Sequence, residues 1–79
     1  MPAKTKRRIY EGMVQVCAHR VSFWYELPKG IRVSAEDKTC LTQEAEDRAK
    51  SQIIEGYVEG QLFYVDDRID AQGWWNIER

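Results

Sequence analysis

Residues 41–56 have the sequence Leu-Thr-Gln-Glu-Ala-Glu-Asp-Arg-Ala-Lys-Ser-Gln-Ile-Ile-Glu-Gly, which is the clearest helical pattern in the chain. Ala45, Ala49 and Ile53 recur at every fourth position, so a helix places them on one side. Because two of these residues are alanines, the helix backbone can approach a sheet closely. Thr42 is suited to the N-cap and Gly56 to the residue that ends the helix. We therefore predict one main helix over residues 42–55.

The first half of the chain has the alternating pattern of β-strands. Apolar and polar residues alternate from Val14 to Ala18, and alternate again with the opposite parity from Val21 to Leu27. The change of parity predicts a turn or bulge near His19-Arg20, in either a bent long strand or a hairpin with an untypical turn. Residues 31–33 are a short strand candidate.

The segments around and after the helix complete the predicted fold. Residues 34–37 fit a capping box, but Thr42 is preferred as the start because the alanine spacing follows it. Residues 62–65 and 73–77 are predicted strands, and residues 66–72 form a polar connector. The prediction is an α+β domain in the order β-β-(β)-α-β-β, with one helix packed on an antiparallel sheet of four or five strands.

Length and charge suggest one domain with a basic tail. A chain of 79 residues fits a single domain, which we assign to residues 8–79. Four basic residues fall within the first eight, and we predict that residues 1–7 are a disordered tail. After residue 8, acidic side chains outnumber basic ones by 13 to 8, so the body of the protein is acidic.

Compartment and redox state follow from what the sequence contains. The N-terminus has no apolar segment typical of a secretory signal, and no apolar run is long enough to cross a bilayer. We therefore expect a cytoplasmic protein in which the thiols of Cys17 and Cys40 are reduced. The sequence also leaves open a disulfide between them.

Aromatic residues are the main functional signal. Adjacent aromatic pairs occur in three predicted strands, so rings project from both faces of the sheet, whereas one helix covers one face. Something else must cover the second face: a second copy in a homodimer, which is our first choice, the N-terminal segment, or a different partner. We predict a non-catalytic protein-interaction module that needs no cofactor, with four candidate anchors: Trp24, Tyr64, Trp74 and Trp75. The strand register decides which of the adjacent Trp74 and Trp75 faces outward, and the sequence leaves this open.

The alternative is a module that binds single-stranded nucleic acid. Aromatic rings on a sheet can stack on unpaired bases, and basic residues can neutralise phosphates. The candidate contacts are the sheet aromatics together with Lys4, Lys6, Arg7, Arg8 and Arg20. The acidic body of the chain argues against this function.

Metal binding and catalysis have weaker support. Cys17, His19 and Cys40 are potential ligands or reactive groups, but they contain no closely spaced pair of the kind that structural zinc sites use. Asp66, Asp67 and Asp70 lack the spacing of a calcium-binding loop, and we interpret them as a solvated turn. We therefore predict no metal site and no enzyme activity.

The arrangement also resembles a group of known proteins. Residues 41–49 have the form Leu-Thr-x-Glu-Ala-x-x-x-Ala after two strands, and residues 61–77 form a hairpin that ends in aromatics. These features are similar to small phage and mobile-element proteins and, more loosely, to small anti-CRISPR inhibitors. The resemblance implies a protein that masks a surface of a host nuclease complex without chemistry of its own.

Overall fold

The structure is a computed structural model that describes residues 8–78. Within these residues, two hairpins flank one helix: β1 (Arg8–Val16), β2 (His19–Leu27), α1 (Ala35–Ile54), β3 (Glu59–Val65) and β4 (Asp70–Ile77). The strands form one antiparallel sheet in the order β1-β2-β4-β3, and α1 packs on one of its faces. The smallest extent of the molecule, 17 Å, fits one helix layer on one sheet layer.

The predicted α+β fold is confirmed, with four strands. The segment 31–33 belongs to the connection between β2 and α1 and forms no strand, so the optional fifth strand was wrong. The last hairpin is longer than predicted, because β3 starts at Glu59 and β4 at Asp70. The polar connector shrinks to residues 66–69. The predicted tail, residues 1–7, lies outside the described residues.

The helix starts one residue after Ser34, not near Thr42 as predicted. Ser34 Oγ accepts a hydrogen bond from the Asp37 N–H, and Asp37 Oδ2 accepts one from the Ser34 N–H. This reciprocal capping box satisfies two backbone donors at the helix start, and a Ser N-cap contributes about 1 kcal/mol. The alanine spacing and the capping box therefore belong to the same 20-residue helix, and Thr42 lies inside it.

The end of the helix and its buried face agree with the prediction. Gly56 has φ +100° and follows the C-cap, and the N–H groups of Gly56 and Tyr57 donate to the carbonyls of Ile53 and Gln52. This is a Schellman motif, in which glycine tolerates the left-handed conformation. Ala45 and Ala49 are fully buried against the sheet, and Ile53 packs against the same core.

The change of parity in the first half is a two-residue hairpin turn at Cys17-Ala18, two residues before the predicted position. Val16 pairs with His19, and both turn residues have positive φ, 50° and 67°. Two left-handed residues define a type I′ turn, whose twist matches that of the flanking strands. The turn could not be located from the sequence, because neither residue is the glycine or asparagine that usually occupies these positions.

The core between α1 and the sheet is built around large rings. The largest fully buried side chains include Trp75, Tyr25 and Phe23. Glycines make room for them: a Cβ at Gly60 would lie 2.6 Å from Trp75 Nε1, and one at Gly12 would lie 2.7 Å from the Phe23 ring. The rings therefore fit under the helix because the neighbouring strands present no side chain at these points.

The Cys17-Ala18 turn gives a test of the fold. We expect the double replacement Cys17→Asn with Ala18→Gly to raise the free energy of unfolding by about 1 kcal/mol, since it relieves the left-handed strain of two ordinary residues. Urea denaturation under reducing conditions, followed by tryptophan fluorescence, measures the change. Ala45→Gly is the control, and should lower stability by about 2 kcal/mol, because Ala45 lies in the helix interior and its methyl group is buried against the sheet. An unchanged or lower stability of the double variant would contradict the turn assignment.

Candidate binding surface

The strand register divides the aromatic side chains between the two faces of the sheet. Along β4, Ala71, Gly73 and Trp75 are buried and alternate with residues that point away from the helix. Trp74 is therefore on the face opposite Trp75. The helix covers the side of Trp75 and leaves the other side uncovered by any element within residues 8–78.

We call this uncovered side the open face. It comprises the odd-numbered residues 9–15 of β1 and 59–65 of β3, and the even-numbered residues 20–26 of β2 and 70–76 of β4. The expectation that aromatic rings project from both faces, with one helix to cover them, agrees with this arrangement.

Two indoles lie side by side at the centre of the open face. Trp24 on β2 is the direct cross-strand partner of Trp74 on β4, and both side chains are partly exposed. The same row continues to Glu11 on β1 and to Gln61 on β3. Since neighbouring strands are about 4.8 Å apart, the four side chains form a continuous band across the sheet.

Apolar side chains on the two outer strands extend this surface. Ile9 and Met13 on β1, and Phe63 and Val65 on β3, each leave between 51% and 70% of their area exposed. These four residues were not among the anchors predicted from the sequence. The pattern of β3 contained the signal: burying Leu62 forces its neighbours Phe63 and Tyr64 onto opposite faces, with Phe63 on the open face.

The structure divides the four predicted anchors between the two faces of the sheet. Trp75 is completely buried beneath α1, so it supports the core and does not reach a partner. Tyr64 is on the helix side of edge strand β3, where its hydroxyl donates to Asp66 Oδ2 at 3.3 Å. Trp24 and Trp74 remain, and they are the pair at the centre of the open face.

Shallow depressions flank the indole pair. One of about 350 Å³ lies over β2, β4 and β3, and its lining includes both Trp24 and Trp74. Another, of about 310 Å³, lies over β1 and β2 between Glu11, Met13 and Trp24. Trp24 therefore borders both depressions and Trp74 borders the first, and each depression has room for a side chain of a partner.

The residues predicted for nucleic-acid binding are only partly described. Lys4, Lys6 and Arg7 lie outside the described residues, and Arg8 is the first residue of β1. Arg20 is exposed and shares the open face with Trp24. It is the one basic residue among the open-face positions defined above.

The candidate metal and thiol residues are not brought together. Cys17 lies in the hairpin turn, whereas His19 is the first residue of β2. Cys17 and Cys40 are both exposed and unpaired. Within residues 8–78, no three His, Cys, Asp or Glu side chains are grouped in a way that could hold a metal ion.

The acidic residues between β3 and β4 shape the connector. Asp66 Oδ1 accepts hydrogen bonds from the N–H groups of Arg68 and Ile69, at 2.8 and 2.7 Å. These two bonds lower the pKa of the Asp66 carboxyl and fix the turn. Asp67 is exposed, and Asp70 belongs to β4 on the open face.

A salt bridge joins this connector to the start of the helix. Arg68 Nη2 lies 2.8 Å from both carboxylate oxygens of Asp37, whose side chain is 8% exposed. The Ser34 N–H, and then the Arg68 guanidinium, hold the pKa of the Asp37 carboxyl below its ordinary value. The hydrogen bond that Arg68 donates to Asp37 also raises the pKa of the Arg68 guanidinium. The carboxylate therefore caps the helix and anchors the β3–β4 turn at the same time.

Two tyrosines have shifted pKa values because they are built into the helix–sheet contact. Burial raises the pKa of Tyr25, whose hydroxyl donates to the Leu41 carbonyl at 3.0 Å. Burial, and then a hydrogen bond with Cys40, raises the pKa of Tyr64 to about 12. Both phenols stay protonated at neutral pH, so they act here as hydrogen-bonding groups of the fold.

Comparison with known proteins gives no relative: no family model, curated protein or solved structure matches this chain. Within residues 8–78, no helix is both long enough and apolar enough to span a membrane.

The Asp37–Arg68 salt bridge predicts a defined pH dependence. Since the Asp37 pKa is lower in the folded chain than its ordinary value of 3.8, ionisation of this carboxyl stabilises the fold above that value. The contribution is lost as the pH falls through the folded-state pKa. We expect Asp37→Asn to lower the urea midpoint clearly at pH 7 and much less at pH 2.5.

The control for this measurement is Asp67→Asn, which removes an exposed carboxylate from the same connector. It should leave the midpoint nearly unchanged at pH 7. A destabilisation by Asp37→Asn that is equally large at both pH values would show that the ionised carboxylate is not the source of the stability.

Proposed function

We propose that this protein is a small, non-catalytic protein-interaction module that binds its partner through the open face. The observation that carries the proposal is the pair Trp24 and Trp74, side by side and partly exposed at the centre of a sheet face that α1 does not cover. A sheet with one solvated face normally presents polar residues there. Two central indoles are therefore better explained by a partner than by the stability of the fold.

The composition of the open face resembles that of protein interfaces. Interfaces concentrate tryptophan, tyrosine, methionine and arginine near the centre and place polar groups around them. Here the indole pair is central, Met13 and Phe63 extend the apolar area, and carboxylates and amides surround it. Isolated apolar residues on a surface need no explanation, but here all four strands contribute apolar side chains to one face.

The non-catalytic part of the proposal follows from what the titratable groups do. The side chains with shifted pKa values, Asp37, Asp66 and Arg68, hold the helix start and the β3–β4 turn. The two tyrosines hydrogen-bond to the helix, Tyr25 through the Leu41 carbonyl and Tyr64 through Cys40. In active sites, side chains with shifted pKa values usually lie together in a cleft. In this protein, the side chains with shifted pKa values make contacts that maintain the fold.

The proposal includes a biological setting, namely a cytoplasmic inhibitor of a host complex. The resemblance to phage and anti-CRISPR proteins supports an inhibitor that occludes a surface of a host complex. A cytoplasmic location suits two exposed thiols, which stay reduced there. Binding to single-stranded nucleic acid has less support, because the open face carries more carboxylates than basic groups and phosphates would be repelled.

Replacement of the central indoles tests this function. We expect Trp24→Ala and Trp74→Ala each to weaken partner binding by about 2 kcal/mol, roughly 30-fold, because central aromatic residues dominate interface energies. Immobilised wild-type and variant proteins are exposed to the same host-cell lysate, and the retained proteins are quantified by mass spectrometry. The informative proteins are those that the wild type retains and both tryptophan variants lose.

The matched control is Ile54→Ala, which removes an exposed apolar side chain from the helix layer and should retain the same proteins as the wild type. Circular dichroism establishes that each variant is folded. If both folded tryptophan variants retain everything that the wild type retains, the open face is not the binding surface.

A further inference from the structure

The open face has a marked charge. Among its sixteen positions, defined above by strand and parity, four are carboxylates and one, Arg20, is basic. The Glu78 carboxylate adds to the same side, because it accepts a hydrogen bond from the Ser22 hydroxyl. The carboxylates of the face are Glu11, Glu26, Glu59 and Asp70.

These carboxylates lie around the indole pair. Glu11 is the direct cross-strand neighbour of Trp24, and Glu26 is two residues further along β2 on the same face. On the other side, Glu59 lies next to Gln61, the cross-strand neighbour of Trp74, and lines the same depression as both indoles. Aromatic faces and carboxylates are therefore within reach of one incoming side chain.

From this arrangement we infer that the partner presents a positively charged, arginine-bearing protein surface, with an arginine side chain stacked on the Trp24–Trp74 pair. The inference rests on the proposed function and specifies the chemistry of its partner. A guanidinium is planar and weakly hydrated, so it can lie against an indole while its edge donates hydrogen bonds to a carboxylate. Glu11, the direct cross-strand neighbour of Trp24, is the acceptor placed for an arginine over Trp24.

Charge complementarity also separates this partner from a second copy of the chain and from nucleic acid. A second copy that packed open face against open face would bring two sets of carboxylates together, and like charges at an interface oppose association. Nucleic acid would place phosphates against the same carboxylates. A basic protein surface meets both the indoles and the carboxylates favourably.

The test uses defined peptides and the full chain. The probe is the capped peptide (Arg-Gly)5, compared with (Lys-Gly)5, (Glu-Gly)5 and a 20-nucleotide oligo-dT. Binding is followed by nuclear magnetic resonance of the indole Nε1–H signals, assigned with single Trp→Phe variants. The three tryptophans give an internal reference, because Trp75 is buried on the helix side while Trp24 and Trp74 are on the open face.

We expect (Arg-Gly)5 to shift the signals of Trp24 and Trp74 at low salt and to leave the signal of Trp75 in place. The lysine peptide should bind about threefold or more weakly, since an ammonium lacks the planar stacking of a guanidinium. Raising the salt concentration should weaken binding, because the open face is exposed to screening ions.

Charge variants complete the test. Glu11→Gln should weaken binding of (Arg-Gly)5 about threefold, whereas Glu55→Gln, which removes an exposed carboxylate at the end of the helix, should leave it unchanged. Trp24→Ala should weaken it about tenfold.

Several outcomes would overturn the inference. These are equal binding of the lysine peptide, binding of (Glu-Gly)5 or oligo-dT at the same two indoles, and no shift with (Arg-Gly)5 at low salt. Shifts of Trp24 and Trp74 that grow with protein concentration alone would assign the face to a second copy. In each case, proteins retained through Trp24 and Trp74 in the lysate experiment would still support the proposed function, so the two failures are distinguishable.

Discussion

The burial of Trp75 under α1 is the constraint on which the rest of the structure depends. The indole is fully enclosed, and Gly60 on the neighbouring strand provides the space for it. Because side chains alternate along a strand, placing Trp75 inside puts Trp74 outside. Pairing between β4 and β2 then sets Trp24 beside Trp74. The core and the open face are thus two consequences of one register, and a shift by one residue would exchange them.

Much of the fold could be predicted from the sequence because its signals are local. The alanine spacing of the helix, the Gly56 stop and the alternation from Val21 to Leu27 each report their own segment, and the structure agrees with them. The helix start was misplaced because two valid capping signals, Ser34 and Thr42, compete in one sequence. Arg68 adds a salt bridge to Asp37 of the Ser34 capping box from 31 residues away, and a local sequence pattern does not contain this contact.

Of the four candidate anchors predicted from the sequence, two, Trp24 and Trp74, lie on the face that the structure leaves open, and the other two lie on the helix side. Residues 70–72 were predicted to belong to a connector, whereas they are the first three residues of β4. The predicted strand was therefore too short to show which of its residues alternate between the two faces. With Asp70, Gln72 and Asn76 recognised as the polar set of one strand, Trp74 shares their parity and faces solvent, while Trp75 shares the parity of Ala71. The Cys17-Ala18 turn could not be recognised in this way, because neither residue type favours positive φ.

The order β1-β2-β4-β3 has a consequence for how the chain folds. Each hairpin closes over a connection of two to four residues, so both can form locally and early. Only the β2–β4 pairing joins distant segments, and it needs the whole of α1 and its flanking connections to be looped out. Among the strand pairings, we expect the search for this distant one to be the slowest step. The same event completes the two-tryptophan surface that neither hairpin contains alone.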